Sequence, residues 1–194
     1  KAAGGQRRIF SDDSRVRLAD GCLLIGRTLD RDDLAQLLAE GIPFVSIGRR
    51  DDAGGPVPHV GADYALAVRD LVDRAVALGH RRFAYVGAGE GAESSADRLR
   101  GFKQAVAAHQ VEGRHMPFAG LGQLLEAGVT VVLTEEVSDG AALVLAARER
   151  GLSVPGDLSV LMLGAATRPA SDDVALTGFR IPRREMGRRA VQAL

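Results

Sequence analysis

The chain has 194 residues, of which 46% are hydrophobic and 26% charged, enough apolar side chain for a buried core in one large domain or two small ones. Its 25 basic residues are matched by 25 acidic ones, so the formal net charge is zero. That balance argues against direct nucleic-acid contact by this chain, which would call for a basic excess. No apolar run reaches the eighteen or so residues of a bilayer span, and Lys1 to Gly5 lacks the apolar core of a secretory leader.

In chain order, short apolar runs alternate with helical stretches, the signature of a parallel α/β sheet. Gly21 to Gly26 reads as an apolar strand containing Cys22, the one cysteine, which reads as a small core residue. Asp30 caps a helix with Leu34, Leu37 and Leu38 on one face, closed by Gly41. Ile42 to Ile47 is the next strand, and Asp51 to Pro58 a turn-rich loop. Asp63 caps a long helix carrying Val68, Val72 and Ala75 and ending at Gly79. Phe83 to Val86 is a strand, Ala88 to Glu93 a glycine-rich loop, and Ser94 or Ser95 begins a helix through Leu99, Phe102 and Val106. Gly101 in mid-helix implies close packing against a neighbour.

A short strand is expected at His115 to Ala119, a short helix around Leu124 and Leu125, a strand at Val129 to Leu133 and a helix over Ser138 to Arg150. Leu158 to Leu163 is a strand after the Pro155-Gly156 turn, and Ala165 to Asp173 a loop. Leu176 to Ile181 is extended, and Pro182 is placed as the first residue of the last helix. The four histidines are dispersed, and no Cys/His cluster has metal-ligand spacing. Lys1 and Lys103 are the only lysines; the arginine bias reads as a GC-rich coding bias, with phosphate binding as the functional alternative.

Five segments together resemble the lactose-repressor (LacI/GalR) family of transcriptional regulators, in its effector-binding domain. They are Leu38-Ala39-Glu40-Gly41-Ile42-Pro43-Phe44-Val45-Ser46-Ile47-Gly48-Arg49, Ala77-Leu78-Gly79-His80-Arg81-Arg82-Phe83-Ala84-Tyr85-Val86-Gly87, Asp97-Arg98-Leu99-Arg100-Gly101-Phe102, Ala147 to Val160 around Val154-Pro155-Gly156-Asp157, and Leu176 to Gly187 around Ile181-Pro182-Arg183-Arg184-Glu185-Met186. The Leu-Gly-His-Arg-Arg turn is the most specific piece, and all five occur in the family's order.

The resemblance implies an α/β fold of two Rossmann-like subdomains with parallel sheets, of the type I periplasmic-binding-protein-like kind, incomplete at both ends. It implies one subdomain from residues 1–62 with 178–194 and another from 63–177, a ligand cleft between them, and a DNA-binding headpiece outside this chain. The family's first strand and helix do not show in Lys1 to Asp20, nor its last strands after Leu194. Arg98 matches the family's pocket guanidinium, which can pair with sugar hydroxyls, a carboxylate or a purine edge. Ser94 matches a loop position facing ligand, and Asp63 the acid at the first crossover, where it can equally cap a helix. The family's acids after three strands are replaced or shifted: Gly48 after the second, Glu136 after the one ending near Leu133, Gly164 after the one ending at Leu163.

The expected ligand-binding set is therefore Arg98, Asp63, Ser94, Glu136 and Gly164. Its ligand is a small-molecule effector, sugar-like or anionic, and less rich in hydroxyls than a sugar if neutral. No cofactor, metal, membrane partner or enzyme activity is expected. A cytoplasmic homodimer acting on operator DNA through the headpiece is the partner reading. A solute receptor for transport or chemotaxis has the same fold and is the competing reading. A nucleotide-dependent enzyme is the third: Gly87-Ala88-Gly89-Glu90-Gly91 follows a strand but lacks the third glycine of a dinucleotide loop.

Overall fold

In a computed structural model, the structure describes residues 9–10, 16–26, 30–51, 53–165, 174 and 176–194. The chain divides into two compact units, one of residues 1–62, 91–94 and 182–194 and the other of residues 63–90 and 95–181.

The first unit holds β1 (Cys22–Ile25), α1 (Arg31–Ala39), β2 (Phe44–Ile47), β3 (His59–Val60) and, after the second unit, α6 (Arg183–Ala193). Its sheet is parallel in the order β1-β2-β3. Asp30 caps α1 as its position suggests, accepting from the backbone N–H groups of Asp32 and Asp33. Leu34 and Leu37 of α1 close over Leu24, Phe44, Ala53 and Val57 to form the core, and Met186 and Ala190 are the buried residues of α6. Pro182 stands at the N-cap of α6, so the first helical residue is Arg183, not the proline.

The second unit carries a parallel five-stranded sheet in the order β5-β4-β6-β7-β8, formed by β5 (Glu112–Met116), β4 (Arg82–Val86), β6 (Val131–Thr134), β7 (Ser159–Ala165) and β8 (Thr177–Arg180). Its helices are α2 (Tyr64–Ala77), α3 (Glu93–Ala108, its first two residues grouped with the first unit), α4 (Leu121–Glu126) and α5 (Val137–Glu149). Strand alternation sorts the core to two faces. Phe83, Tyr85, Val131 and Leu133 pack with Val68, Val72, Leu99 and Phe102 of α2 and α3. Ala84, Val86 and Val132 pack with Leu143, Val144 and Ala147 of α5. Because β8 pairs with β7, Gly178 to Arg180 belong to this unit and the chain returns to the first one at Pro182.

Gly101 packs as its mid-helix place implies: a Cβ there would lie 2.4 Å from the Ala65 carbonyl oxygen of α2. Two expectations shift. The strand placed at His115 to Ala119 runs instead from Glu112 to Met116, and α3 begins at Glu93, ahead of both serines. Most of the loop expected at 165–173 lies outside the described residues.

Candidate functional site

In an open parallel sheet, ligand chemistry collects beyond the carboxyl ends of the strands, where the backbone leaves the sheet and side chains converge. In the second unit the ends of β4, β6 and β7 are Val86-Gly87, Thr134-Glu135 and Gly164-Ala165.

Arg98 of α3 is the cation here, and it is only 8% exposed. Its guanidinium carbon lies 4.2 Å from the ring centroid of Tyr64, the first residue of α2. A guanidinium stacked on an aromatic face keeps its planar edge for hydrogen bonding. Its Nε is buried with no hydrogen-bond partner. No carboxylate ion-pairs with Arg98 among the described residues; its neighbour Asp97 pairs instead with Arg100 at 2.7 Å. Gly164 approaches from β7: a Cβ there would sit 3.4 Å from the Arg98 Nη2 and 2.9 Å from the Cδ1 of Ile181. With φ at +116°, that backbone favours glycine.

An acceptor stands at the end of β6. The buried Tyr85 hydroxyl donates to the Glu135 carboxylate. Burial, then the hydrogen bond to Glu135, pushes the Tyr85 phenol far above its usual range, with Arg98 pulling slightly the other way. Gly87 makes room, since a Cβ on it would fall 2.5 Å from the Glu135 Cγ. The His115 ring meets Tyr85 edge-on at 5.5 Å, and its Nε2 is 2.9 Å from the Gly87 carbonyl oxygen.

Of the expected residues, the structure brings together Arg98 and Gly164. Asp63 is the N-cap of α2, accepting from the Leu66 N–H at 2.9 Å, and so anchors the helix end that carries Tyr64. Ser94 lies one turn before Arg98 along α3 and groups with the first unit. Glu136 is exposed at the N-cap position of α5, while its neighbour Glu135 turns to Tyr85. Tyr64, Tyr85 and Glu135 were not among the expected residues. Glu135 carries a signal nonetheless, as the first charged residue beyond the apolar strand expected at Val129 to Leu133. Among the described residues no group of three or more His, Cys, Asp or Glu could hold a metal ion, and no helix is long and apolar enough to cross a membrane.

Two family profiles match. The periplasmic binding protein-like domain covers residues 72–194, and the periplasmic binding proteins and sugar binding domain of LacI family covers residues 12–120. The chain belongs to this LacI-family group of periplasmic-binding-protein-like domains. An HTH-type transcriptional regulator from the aml 5′ region of Streptomyces limosus is 35% identical over 184 residues, 86% of this chain and 51% of that protein. A LacI-family regulatory protein from Chloroflexus aggregans superposes with a TM-score of 0.76 at 25% identity, covering 94% of this chain and 74% of that one. The transcriptional regulator CelR in complex with cellobiose superposes with a TM-score of 0.68 at 28% identity, covering 90% of this chain and 58% of that one. This LacI-family chain spans about half the length of the curated relatives it matches.

Proposed function

We propose that this chain is the effector-sensing part of a LacI-type DNA-binding transcriptional regulator, and that a small molecule binds at the carboxyl ends of β4, β6 and β7. The observation that carries the reading is Arg98, buried, stacked on Tyr64 and with no ion-paired carboxylate among the described residues, at the ligand end of a LacI-family sheet. Arg98 is the main contact and Gly164 the wall that leaves its edge open. Asp63 acts through Tyr64 by fixing the start of α2, and Glu136 adds a lesser polar contact. The effector is a sugar-like or anionic metabolite; the cellobiose bound by CelR supports this class.

Operator DNA is bound by a headpiece beyond this chain, which the helix-turn-helix descriptions of the curated relatives support over a transport receptor. The site binds and does not catalyse: sensing requires only that the effector prefer one of two conformations, a coupling of typically ~1–3 kcal/mol. A homodimer in the cytoplasm, where its operator lies, completes the reading.

The test is a thermal-shift screen of carbohydrates and organic acids on this chain, with hits measured by calorimetry on wild type and Arg98→Ala. Losing a charged hydrogen-bond donor costs about 1.5–3 kcal/mol, so affinity should fall ~10- to 150-fold. A ligand that binds a folded Arg98→Ala variant as tightly as wild type, or that emerges chemically altered, refutes the reading.

A further inference from the structure

We infer that the effector is a hydroxylated organic anion, with a carboxylate or phosphate seated on Arg98 and a hydroxyl turned to Glu135. This rests on the sensing function proposed above and names its ligand class. A guanidinium taken out of water needs a countercharge, because an isolated buried cation is costly. Arg98 is 8% exposed and has an aromatic face, not an acid, beneath it. Among the described residues no carboxylate is ion-paired with that charge. Asp97, next to it, is engaged by Arg100. Gly164, where an added Cβ would lie 3.4 Å from the Arg98 Nη2 and 2.9 Å from the Ile181 Cδ1, has a φ of +116°, so an acid there would be strained.

The guanidinium thus lies over Tyr64 with its Nε unpartnered and no ion pair among the described residues, the arrangement that receives two oxygens of one anion side by side. The Glu135 carboxylate complements it. One of its oxygens accepts from Tyr85, and the other has no protein donor among the described residues. It therefore favours a ligand that brings a hydroxyl and disfavours a bare dianion. A neutral sugar would satisfy Glu135 and leave Arg98 without a direct ion pair; a simple inorganic anion would do the reverse.

The experiment uses matched probes: D-glucose against D-glucuronate and D-glucose 6-phosphate, which share a ring and differ in the group at one carbon, with cellobiose as the neutral disaccharide. Calorimetry on the purified chain is expected to show at least tenfold tighter binding of one anionic probe than of D-glucose. That gap should close in Arg98→Gln and shrink between 0.02 and 0.3 M salt, as screening predicts (Debye length about 20 Å falling to about 6 Å). Gly164→Asp, which supplies an internal countercharge, should weaken the anion at least tenfold relative to Gly164→Ala, which carries the same backbone strain without charge. D-Glucose or cellobiose binding as tightly as the anions, with loss in Arg98→Gln, overturns the anion and leaves the sensing function standing. Anion binding that survives Arg98→Gln, or no binding by either anionic probe, also overturns it. The sensing function fails separately, if no small molecule alters operator binding by the whole regulator.

Discussion

Replacing Gly101 by alanine tests the crossing of α2 and α3, on which the candidate site is hung. A Cβ at 101 would lie 2.4 Å from the Ala65 oxygen, 2.7 Å from its Cα and 2.9 Å from its carbonyl carbon. All three are backbone atoms, so no side chain can rotate aside, and the helices must part by about 0.6 Å (3.0 minus 2.4) to reach the shortest tolerable contact. Overpacking of this kind costs about 1–3 kcal/mol, and the better helix propensity of alanine returns about 1 kcal/mol. With an immovable neighbour the upper part of that range applies, leaving a net loss of about 1–2 kcal/mol. At roughly 2–4 °C per kcal/mol for a chain this long, the midpoint by circular dichroism should drop ~2–8 °C.

Gly187 is the control. It also sits inside a helix, α6, but nothing lies within 4 Å of its added Cβ, so Gly187→Ala should stabilise by about 1 kcal/mol from propensity alone. If Gly101→Ala also stabilises, the close approach is wrong. The binding consequence is independent: Arg98 lies three residues before Gly101, and Tyr64 is next to Ala65. Parting the helices therefore loosens the 4.2 Å stack and should weaken effector binding even where the fold survives.

The remaining expectations concern stability. His80 has Nδ1 2.9 Å from the Thr130 hydroxyl and Nε2 3.2 Å from that of Ser159, and burial lowers its pKa. The unfolded chain then binds more protons just below pH ~6.5, so stability is full above that value and falls on acidification. Urea titrations at pH 7.5 and 5.5 should show the loss, and His80→Gln should reduce it; an unchanged difference would remove His80 as its source. Gln110 adopts φ +54° at the end of α3, a left-handed conformation that costs a non-glycine residue about 1–2 kcal/mol. Gln110→Gly should stabilise by ~0.5–1 kcal/mol after its greater unfolded-state entropy is counted, read as a higher urea midpoint.

Gln110 also shows where the sequence stops being legible. Four helices end in one hydrogen-bonded pattern, at Gly41, Gly79, Gly128 and Gly151, each glycine at positive φ and followed by a residue bonded back to the last turn. At three of these the glycine marks the helix end in the sequence, as read for Gly41, Gly79 and Gly151. α3 ends in the same pattern, with Gln110 N–H on the Ala107 oxygen and Val111 N–H on the Val106 oxygen, but a glutamine holds the turn. With no punctuation, the sequence pattern puts the start of the next strand at His115, three residues after its true start at Glu112. That strand, β5, lies at the sheet edge and reads Glu-Gly-Arg-His-Met, mostly exposed, so alternation gave no help.

The central strands were legible because both faces are covered and they read as apolar runs. Within the candidate site, the motif around Arg98 is what singles it out in the sequence. Tyr64 and Glu135 have no such motif, because stacking on a guanidinium and reaching a buried phenol depend on packing between elements distant in the chain. Glu135 and Glu136 are adjacent, and only the direction in which the chain leaves β6 decides which of them turns inward.

The glycine caps at Gly79, Gly128 and Gly151 all lead into strands at their amino ends, whereas Gly87 and Glu135 follow strands at their carboxyl ends and Gly164 is the last residue but one of β7. The two ends of one sheet are therefore under separate constraints. Backbone geometry fixes the capped end, which tolerates few residue types and needs little chemistry. At the other end Gly87 and Gly164 are held to glycine by close contacts, while a position such as Glu135 can exchange its side chain without disturbing strand order. Side-chain chemistry at that end can therefore change at such positions with the folding instructions left intact.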